Sequence, residues 1–182
     1  MVGMGRPRSF DRDVALEQAM RLFWEKGYDE TSIGDLTAAM GVAAPSLYAA
    51  FGDKRALFEE AVELYERLPG APITAGDGEP TAFGAVARIL ASAAQEYAAP
   101  DQPKGCFVLA EPLLDARRAA SCEAIRERLR QGAGELPEGT DLDALASYVS
   151  AVLAGMSSRA RDGATREDLA AIAAVAMRAW PD

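Results

Sequence analysis

Two short helical segments flank a glycine turn within residues 31–58, and this pattern constrains the fold more than any other part of the chain. The first segment has one apolar face at helical spacing, formed by Ile33, Leu36 and Met40. Gly41 supplies the left-handed backbone that ends this helix, and Pro45 suits the first turn of the next one. Two short helices joined by such a turn predict a helix-turn-helix, the unit that inserts its second helix into a DNA major groove.

The second segment is predicted to leave Ser46 and Tyr48 pointing away from the core, on the face that would meet DNA, while Leu47 packs inward. Ser32 and Asp35 have the spacing of a capping box at the start of the first segment. The same spacing also describes an ordinary helical hairpin that binds no ligand, so both interpretations stay open at this point.

The stretch from Arg6 to Tyr65 resembles the N-terminal domain of the TetR family of bacterial regulators. The matching residues are Phe23, Gly27-Tyr28, Thr31-Ser32-Ile33, Leu36, Gly41-Val42, Leu47-Tyr48, Phe51, Lys54 and Leu57-Phe58. Residues that resemble one subgroup of the family are Gly5-Arg6-Pro7-Arg8, Trp24 and the run 45–51. The resemblance implies a three-helix DNA-binding domain followed by a helical domain for ligand binding and dimerisation.

The second helix of this unit departs from the family pattern. Ala43 stands where many members have a capping Ser or Thr, and loss of such a cap costs about 1 kcal/mol of local helix stability. Ala49 and Ala50 stand where many members have a polar residue after the Tyr. Fewer polar side chains therefore reach the bases, although alanine can still contact a thymine methyl group. The operator sequence does not follow from this helix.

The net charge of −9 is unusual for a DNA-binding chain, but the charges are unevenly distributed. Residues 1–12 hold three arginines and one aspartate, and DNA affinity depends on the charges that face the phosphates. Asp53 is predicted to cap the next helix, whose first turn presents Lys54 and free backbone N–H groups to phosphate. The predicted DNA-contacting residues are Arg6, Arg8, Thr31, Ser32, Ala44, Pro45, Ser46, Tyr48 and Lys54.

The N-terminal segment Gly5-Arg6-Pro7-Arg8 is too short and too rich in glycine to fold by itself. It is compatible with a solvated tail. It is equally compatible with an arm that lies along phosphates or in the minor groove, as homeodomain arms do.

The chain shows helical rather than strand-like periodicity throughout. We predict an all-α fold of about nine helices, with an N-terminal three-helix helix-turn-helix DNA-binding domain and a C-terminal helical ligand-binding and dimerisation domain. Residues 1–67 form the first domain with its connecting fourth helix, 68–80 a linker rich in proline and glycine, and 81–182 the second domain. The later helices are predicted near 81–99, 104–118, 120–136, 140–162 and 165–180, with Thr140 and Thr165 as N-caps.

The last two predicted helices are apolar on more than one side, and such a helix needs more than one neighbour. Two of them that meet their symmetry mates form a four-helix bundle across a two-fold axis, as the TetR resemblance implies. Burial within one subunit is the alternative. The predicted dimer-interface residues are Leu145, Val149, Val152, Leu153, Leu169, Ile172 and Ala176.

A ligand pocket is expected among the earlier helices of the second domain, lined by apolar residues and a few polar groups. The candidate pocket residues are Phe83, Tyr97, Cys106, Phe107, Tyr148 and Met156, each of which also fits a simple core position. Cys106 is compatible with a buried small apolar side chain, a reactive thiol or a metal-sensing thiolate. Two cysteines do not make a disulfide scaffold and fit a reducing cytoplasm.

The chain contains no histidine, which removes histidine-based metal sites, serine triads and most general-base chemistry. We therefore predict no enzyme activity, no cofactor and no metal site. The sequence shows no membrane span and no export signal, so we expect a cytoplasmic protein. The leading hypothesis is a homodimeric transcriptional repressor that a small-molecule effector releases from its double-stranded DNA operator. The alternative is a helical adaptor of the same fold that has lost DNA binding and acts through protein partners.

Overall fold

The computed structural model describes residues 10–68 and 71–181, and within these ranges the chain forms nine α-helices, three short 3₁₀ turns and no strand. The helices are α1 (Arg12–Lys26), α2 (Ile33–Met40), α3 (Ala44–Phe51), α4 (Lys54–Arg67), α5 (Ala82–Glu96), α6 (Phe107–Ala110), α7 (Asp115–Gln131), α8 (Leu142–Arg161) and α9 (Arg166–Met177). The predicted all-α fold is confirmed. None of the described helices is both long and apolar enough to cross a bilayer.

The chain divides into two compact units, the first ending at Tyr65 and the second beginning at Glu66. The core of the first unit contains an aromatic cluster in which the ring of Phe58 lies 5.2 Å from that of Phe23 and 4.9 Å from that of Tyr28, measured between centroids. Rings that meet edge to face add a favourable quadrupole interaction to the area they bury. This cluster joins α1 and the turn after it to α4.

Local signals fix the helix ends of the first unit where the sequence predicts them. Asp11 caps α1 by accepting hydrogen bonds from the backbone N–H groups of Asp13 and Val14. Gly41 ends α2 with a left-handed φ of 65°, a conformation that a residue with a Cβ adopts only at a cost. Asp53 caps α4 by accepting from the N–H of Ala56 at 2.8 Å.

In the second unit α5 packs against α7, α8 and α9, and α7 packs against α8. The buried face of α5 includes Val86, Ile89 and Leu90. A 3₁₀ turn, Pro72–Gly76, packs on α5, and a Cβ at Gly76 would lie 2.9 Å from the carbonyl oxygen of Ala85. Part of the stretch predicted as a linker is thus a packed turn, because a glycine allows its backbone to approach the helix closely.

Three sequence predictions on the later helices are wrong. Asp141, not Thr140, caps α8 by accepting from the N–H groups of Asp143 and Ala144. The predicted helix 104–118 is instead the short α6 followed by a 3₁₀ turn at Pro112, which lacks the N–H needed to continue a helix. From Asp115 onward the chain runs through the predicted break near residue 119 as the single helix α7. The N-cap prediction for Thr165 is confirmed, since Asp168 completes its capping box.

Candidate DNA-binding surface

Helix α3 presents one exposed face and one buried face. Leu47 and Phe51 are buried in the core of the first unit. Pro45, Ser46 and Tyr48 are exposed, with 47% of the Tyr48 surface accessible. Ala44 is half-buried at the start of the helix. The side chains that the sequence predicts to read DNA therefore share the solvent-facing side of a helix held from behind by apolar contacts.

The N-terminus of α3 has no side-chain cap, because Ala43 occupies the N-cap position. The first turn is closed only by its backbone, with the N–H groups of Ser46 and Leu47 donating to the Ala43 carbonyl at 2.9 and 3.1 Å. Pro45 lies in this first turn, where its missing N–H leaves no donor unsatisfied. The sequence predicts that this helix has no side-chain cap, and the structure agrees.

Thr31 does not lie on the exposed face, which corrects its prediction as a DNA-contacting residue. Its side chain is completely buried, and its hydroxyl donates to the carbonyl oxygen of Gly27 at 2.6 Å. The hydroxyl thus fastens the turn between α1 and α2. The sequence motif did not indicate whether the Thr31 side chain faces the core or the solvent.

Ser32 is exposed, and its hydroxyl forms the capping box of α2. The Ser32 Oγ accepts from the N–H of Asp35 at 3.0 Å and donates to its carboxylate at 2.6 Å. The carboxylate also accepts from the Ser32 N–H and from the Lys26 ammonium, at 2.9 and 3.1 Å. The side-chain and backbone hydrogen bonds from Ser32, followed by the bond from Lys26, lower the pKa of Asp35 from 3.8 to about 2.

The cations near α3 are already engaged within the unit. Lys54, in the first turn of α4, places its ammonium 4.2 Å from the centre of the Tyr28 ring. Arg55 pairs with Glu59 one turn further along the same helix. Such a cation–π contact at a half-exposed site is weak, about 0.5–1 kcal/mol, so it holds the Lys54 side chain only loosely. Arg6 and Arg8 lie outside the described residues.

Four of the six predicted pocket residues, Tyr97, Cys106, Phe107 and Met156, are buried in the second unit. Cys106 donates its N–H to the hydroxyl of buried Ser157 at 2.9 Å. Burial, together with the neighbouring Cys106 thiol, raises the pKa of the Tyr97 phenol well above its usual range. Three polar side chains, those of Tyr97, Cys106 and Ser157, thus lie within an apolar interior.

Two predicted pocket residues lie elsewhere. Phe83 is exposed, and its ring meets that of Trp180 edge to face at 5.6 Å. Tyr148 lies on the surface of α8, where its hydroxyl donates to the Ala176 carbonyl at 3.2 Å. An aromatic residue marks an apolar position in the sequence, but it does not tell which of two apolar surroundings it joins. Both residues are removed from the pocket by this placement.

Cys106 and Cys122 are both free thiols. Cys106 is buried and Cys122 is half-buried. Within the described parts of the chain no group of three or more Cys, Asp or Glu side chains is close enough together to hold a metal ion.

The predicted dimer-interface residues divide into a buried and a half-buried set. Buried within their own unit, and so corrected as contact residues, are Leu145, Val149, Leu153, Leu169 and Ala176. Val152 and Ile172 are half-buried and line an open apolar groove of about 410 Å³ between α8 and α9. Tyr148 and Val175, which the sequence did not assign to this surface, line the same groove and are 39% and 55% exposed. The spacing of Val175 three residues after Ile172 was the available signal.

Residues 15–61 match the family described as bacterial regulatory proteins, tetR family. The chain is 36% identical to the HTH-type transcriptional repressor ComR of Escherichia coli (strain K12), over 98% of this chain and 92% of ComR. It is 32% identical to the HTH-type transcriptional repressor BdcR of the same strain, over 96% of this chain and 91% of BdcR. These relatives are transcriptional regulators, in agreement with the prediction of a regulator rather than an enzyme.

A solved structure of the TetR family transcriptional regulator CifR, a cysteine mutant in complex with 26-base-pair double-strand operator DNA, has the same fold. The two chains are 40% identical, the match covers 97% of this chain and 100% of CifR, and the TM-score is 0.90. The helix-turn-helix formed by α2 and α3 agrees with these similarities, which extend over the whole chain. The chain belongs to the TetR family of bacterial regulators and is a DNA-binding transcriptional regulator.

Proposed function

We propose that this regulator is a homodimeric repressor that binds a double-stranded DNA operator in the cytoplasm and that a small-molecule effector releases it. The observation that carries the DNA-binding part is the exposed face of α3, on which Pro45, Ser46 and Tyr48 stand clear of the buried Leu47 and Phe51. The repressor names of ComR and BdcR and the operator complex of CifR support repression by operator binding.

The α3 face provides few groups for base recognition. Ser46 and Tyr48 provide hydroxyls, while Ala44, Pro45 and Ala49 provide apolar contacts. Lys54 and the open N–H groups at the start of α4 provide a site for one phosphate. Such a small set of contacts per subunit favours binding as a dimer to two half-sites one helical turn apart.

Substitution of Tyr48 tests the reading face. We expect Tyr48→Ala to lower operator affinity about tenfold, since one base or phosphate contact is lost, and to leave the melting temperature within about a degree, because the side chain is exposed. The probe is the duplex that the wild-type protein enriches from a random-sequence pool, and binding is measured by fluorescence anisotropy. Val14→Ala, at an exposed position of α1, is the control.

The dimer part of the proposal is supported by the groove between α8 and α9. Tyr148 and Val175 leave apolar surface exposed there, and elsewhere on α8 a Cβ placed on Gly155 would meet no atom within 4 Å. Exposed apolar surface on two adjacent helices is what a self-complementary helix-on-helix contact requires. A second copy of this chain is the proposed occupant, with its α8 and α9 across a two-fold axis.

The effector part is supported by the polar groups inside the second unit. Tyr97, Cys106 and Ser157 place two hydroxyls and a thiol in an apolar interior, the arrangement that orients a small, mostly apolar ligand. We expect a candidate effector to raise the melting temperature and to release the enriched duplex at the same concentration. Tyr97→Phe should weaken both effects together, and Phe83→Ala, at an exposed position, should weaken neither.

The adaptor hypothesis stays as the second candidate, since the net charge of −9 and the alanine-rich α3 motivate it. It predicts that no duplex is enriched from the random pool even at low salt. Salt-dependent enrichment of one sequence would reject it, because phosphate contacts make affinity fall as salt rises.

A further inference from the structure

We propose that Arg12 is a positioning residue that clamps the C-terminal end of α3 and so sets the angle at which the reading face meets DNA. This role of Arg12 rests on the proposed DNA-binding function. Arg12 is not among the residues that we expect to contact DNA. Arg12 belongs to α1, and all of its partners lie within the first unit.

The guanidinium of Arg12, which belongs to α1, contacts three residues on two other helices. Its Nη2 lies 2.8 and 2.7 Å from the two carboxylate oxygens of Glu60 on α4. Its Nε and Nη2 both point at the Ala50 carbonyl oxygen on α3, at 3.4 Å. Its central carbon lies 4.4 Å from the centre of the Phe51 ring, the last residue of α3. One side chain therefore joins the first turn of α1, the end of α3 and the middle of α4.

The recognition helix needs an anchor of this kind. Helix α3 has eight residues and no side-chain cap at its N-terminus, so its placement depends on its buried residues and its C-terminal end. The last carbonyl groups of a helix lack intrahelical partners and carry partial negative charge, and a cation there is favourable. The Arg12 contact to Ala50 supplies such a cation to α3.

Arg12 lies at the end of α1 where a cation is least favourable. Arg12 is the first residue of α1, where the helix dipole favours an anion and where Asp11 and Asp13 provide one. The helix dipole therefore gives no stabilisation to a cation at this place in α1. The contacts of Arg12 to Ala50, Phe51 and Glu60 stabilise the packing of other helices instead.

A direct phosphate contact is the competing role for an arginine near DNA, and Glu60 separates the two roles. If Arg12 binds phosphate, Glu60 competes with the DNA, and Glu60→Gln frees the arginine and tightens binding to every duplex. If Arg12 is a clamp, Glu60→Gln loosens α3, and binding to the operator weakens while binding to unrelated DNA does not. The two roles thus predict opposite signs for one variant.

The experiment measures affinity for the duplex enriched by the wild-type protein and for a shuffled duplex of the same composition, each over a range of salt. We expect Arg12→Gln, Arg12→Lys and Glu60→Gln each to lower operator affinity about tenfold, since a tilted helix loses its base contacts. Affinity for the shuffled duplex should change less than about twofold, and its salt slope should not change, because no phosphate contact is lost. Lysine should not rescue, since an ammonium cannot bond the carboxylate and the carbonyl while stacking on the ring.

Arg21→Gln is the matched control, since Arg21 has the same charge on the same helix and pairs with Glu17 one turn away. It should leave the ratio of operator to shuffled affinity unchanged. Helical circular dichroism and the melting temperature show whether each variant is folded, and Glu60→Gln decides the outcome if Arg12→Gln does not fold. Unchanged operator affinity in Glu60→Gln, tighter binding to both duplexes, or a smaller salt slope in Arg12→Gln would overturn the clamp. If wild type enriches no duplex, the proposed function fails and the clamp fails with it.

Discussion

The two units differ in how their exposed surfaces are determined. In the first unit, capping residues and turn glycines such as Asp11, Gly41 and Asp53 fix helix boundaries, and the exposed face of α3 follows from the spacing. In the second unit α8 and α9 are apolar on several sides, and only their neighbours decide which side is core. Leu169 is completely buried, whereas Val175, six residues later on α9, is 55% exposed. Local signals thus locate helices, while packing selects the face.

We expect the largest effect on dimerisation and operator affinity from a substitution on the exposed side of α9. Val175→Glu places a charge in the groove that Tyr148 and Val175 line, and a charge cannot be buried there without a partner. We expect a monomer at micromolar concentration in analytical ultracentrifugation. Operator affinity should fall on the order of a hundredfold or more, because a single half-site gains nothing from the second.

Leu113→Glu is the control for this experiment, since Leu113 is an exposed apolar residue of the same unit and lies outside the groove. It should leave both the mass and the operator affinity unchanged. A Val175→Glu protein that stays dimeric would show that the groove is not the interface.

The second prediction addresses the buried side of the same helix. Leu169→Ala should lower the free energy of unfolding by about 2–5 kcal/mol, since it removes a completely buried side chain and leaves a cavity. Urea denaturation followed by circular dichroism measures the change. Leu113→Ala, at an exposed position, should change it by less than about 0.5 kcal/mol. A small effect of Leu169→Ala, with loss of the dimer, would return Leu169 to the interface.

The third prediction concerns Thr31 in the first unit, which the structure places inside. Thr31→Val removes the hydroxyl that donates to Gly27, and we expect a loss of about 1–3 kcal/mol of stability because the Thr31 side chain is completely buried. The operator affinity of the folded protein should stay the same in the anisotropy assay.

Thr37→Val is the matched control, since the Thr37 hydroxyl donates to the Gly34 carbonyl at 3.0 Å on a more exposed part of α2. It should cost at most about 0.5 kcal/mol. Reduced operator affinity of Thr31→Val at unchanged stability would mean that Thr31 does contact DNA.

The smallest effect is expected from the capping box of α2. Folding lowers the pKa of Asp35 from 3.8 to about 2, chiefly through its hydrogen bonds with Ser32. The carboxylate therefore contributes stability above pH 3.8, and this contribution is lost as the pH falls towards 2. The difference in unfolding free energy between wild type and Asp35→Asn should narrow over this interval in a series of urea titrations.

Asp29→Asn, in the turn before α2, is the matched charge change outside the box. The difference in unfolding free energy between wild type and Asp29→Asn should not narrow in the way expected for Asp35→Asn. A difference for Asp35→Asn that is independent of pH would contradict the role of the ionised carboxylate.

The sequence predicted the helix-turn-helix more fully than the second unit for a physical reason. Capping and glycine turns act through hydrogen bonds between residues two to five apart, so the roles of Ser32, Gly41 and Asp53 can be read from neighbours. Whether Phe83 or Tyr148 is exposed or buried depends on helices far away in the chain. The contacts of Arg12 in the first unit could not be read from its neighbours either, because its partners Ala50 and Glu60 are 38 and 48 residues away.

The amino-acid sequence by itself determined an all-helical chain, the helix-turn-helix near its N-terminus and the family to which it belongs. Its capping residues and turn glycines act locally and therefore leave a signal in short stretches of sequence. Only the tertiary structure decided that Thr31 is buried, that α9 exposes Val175 rather than Leu169, and that Arg12 reaches the end of α3. Those facts depend on which surfaces meet after the helices pack, and apolar residues on several sides of a helix permit more than one such arrangement.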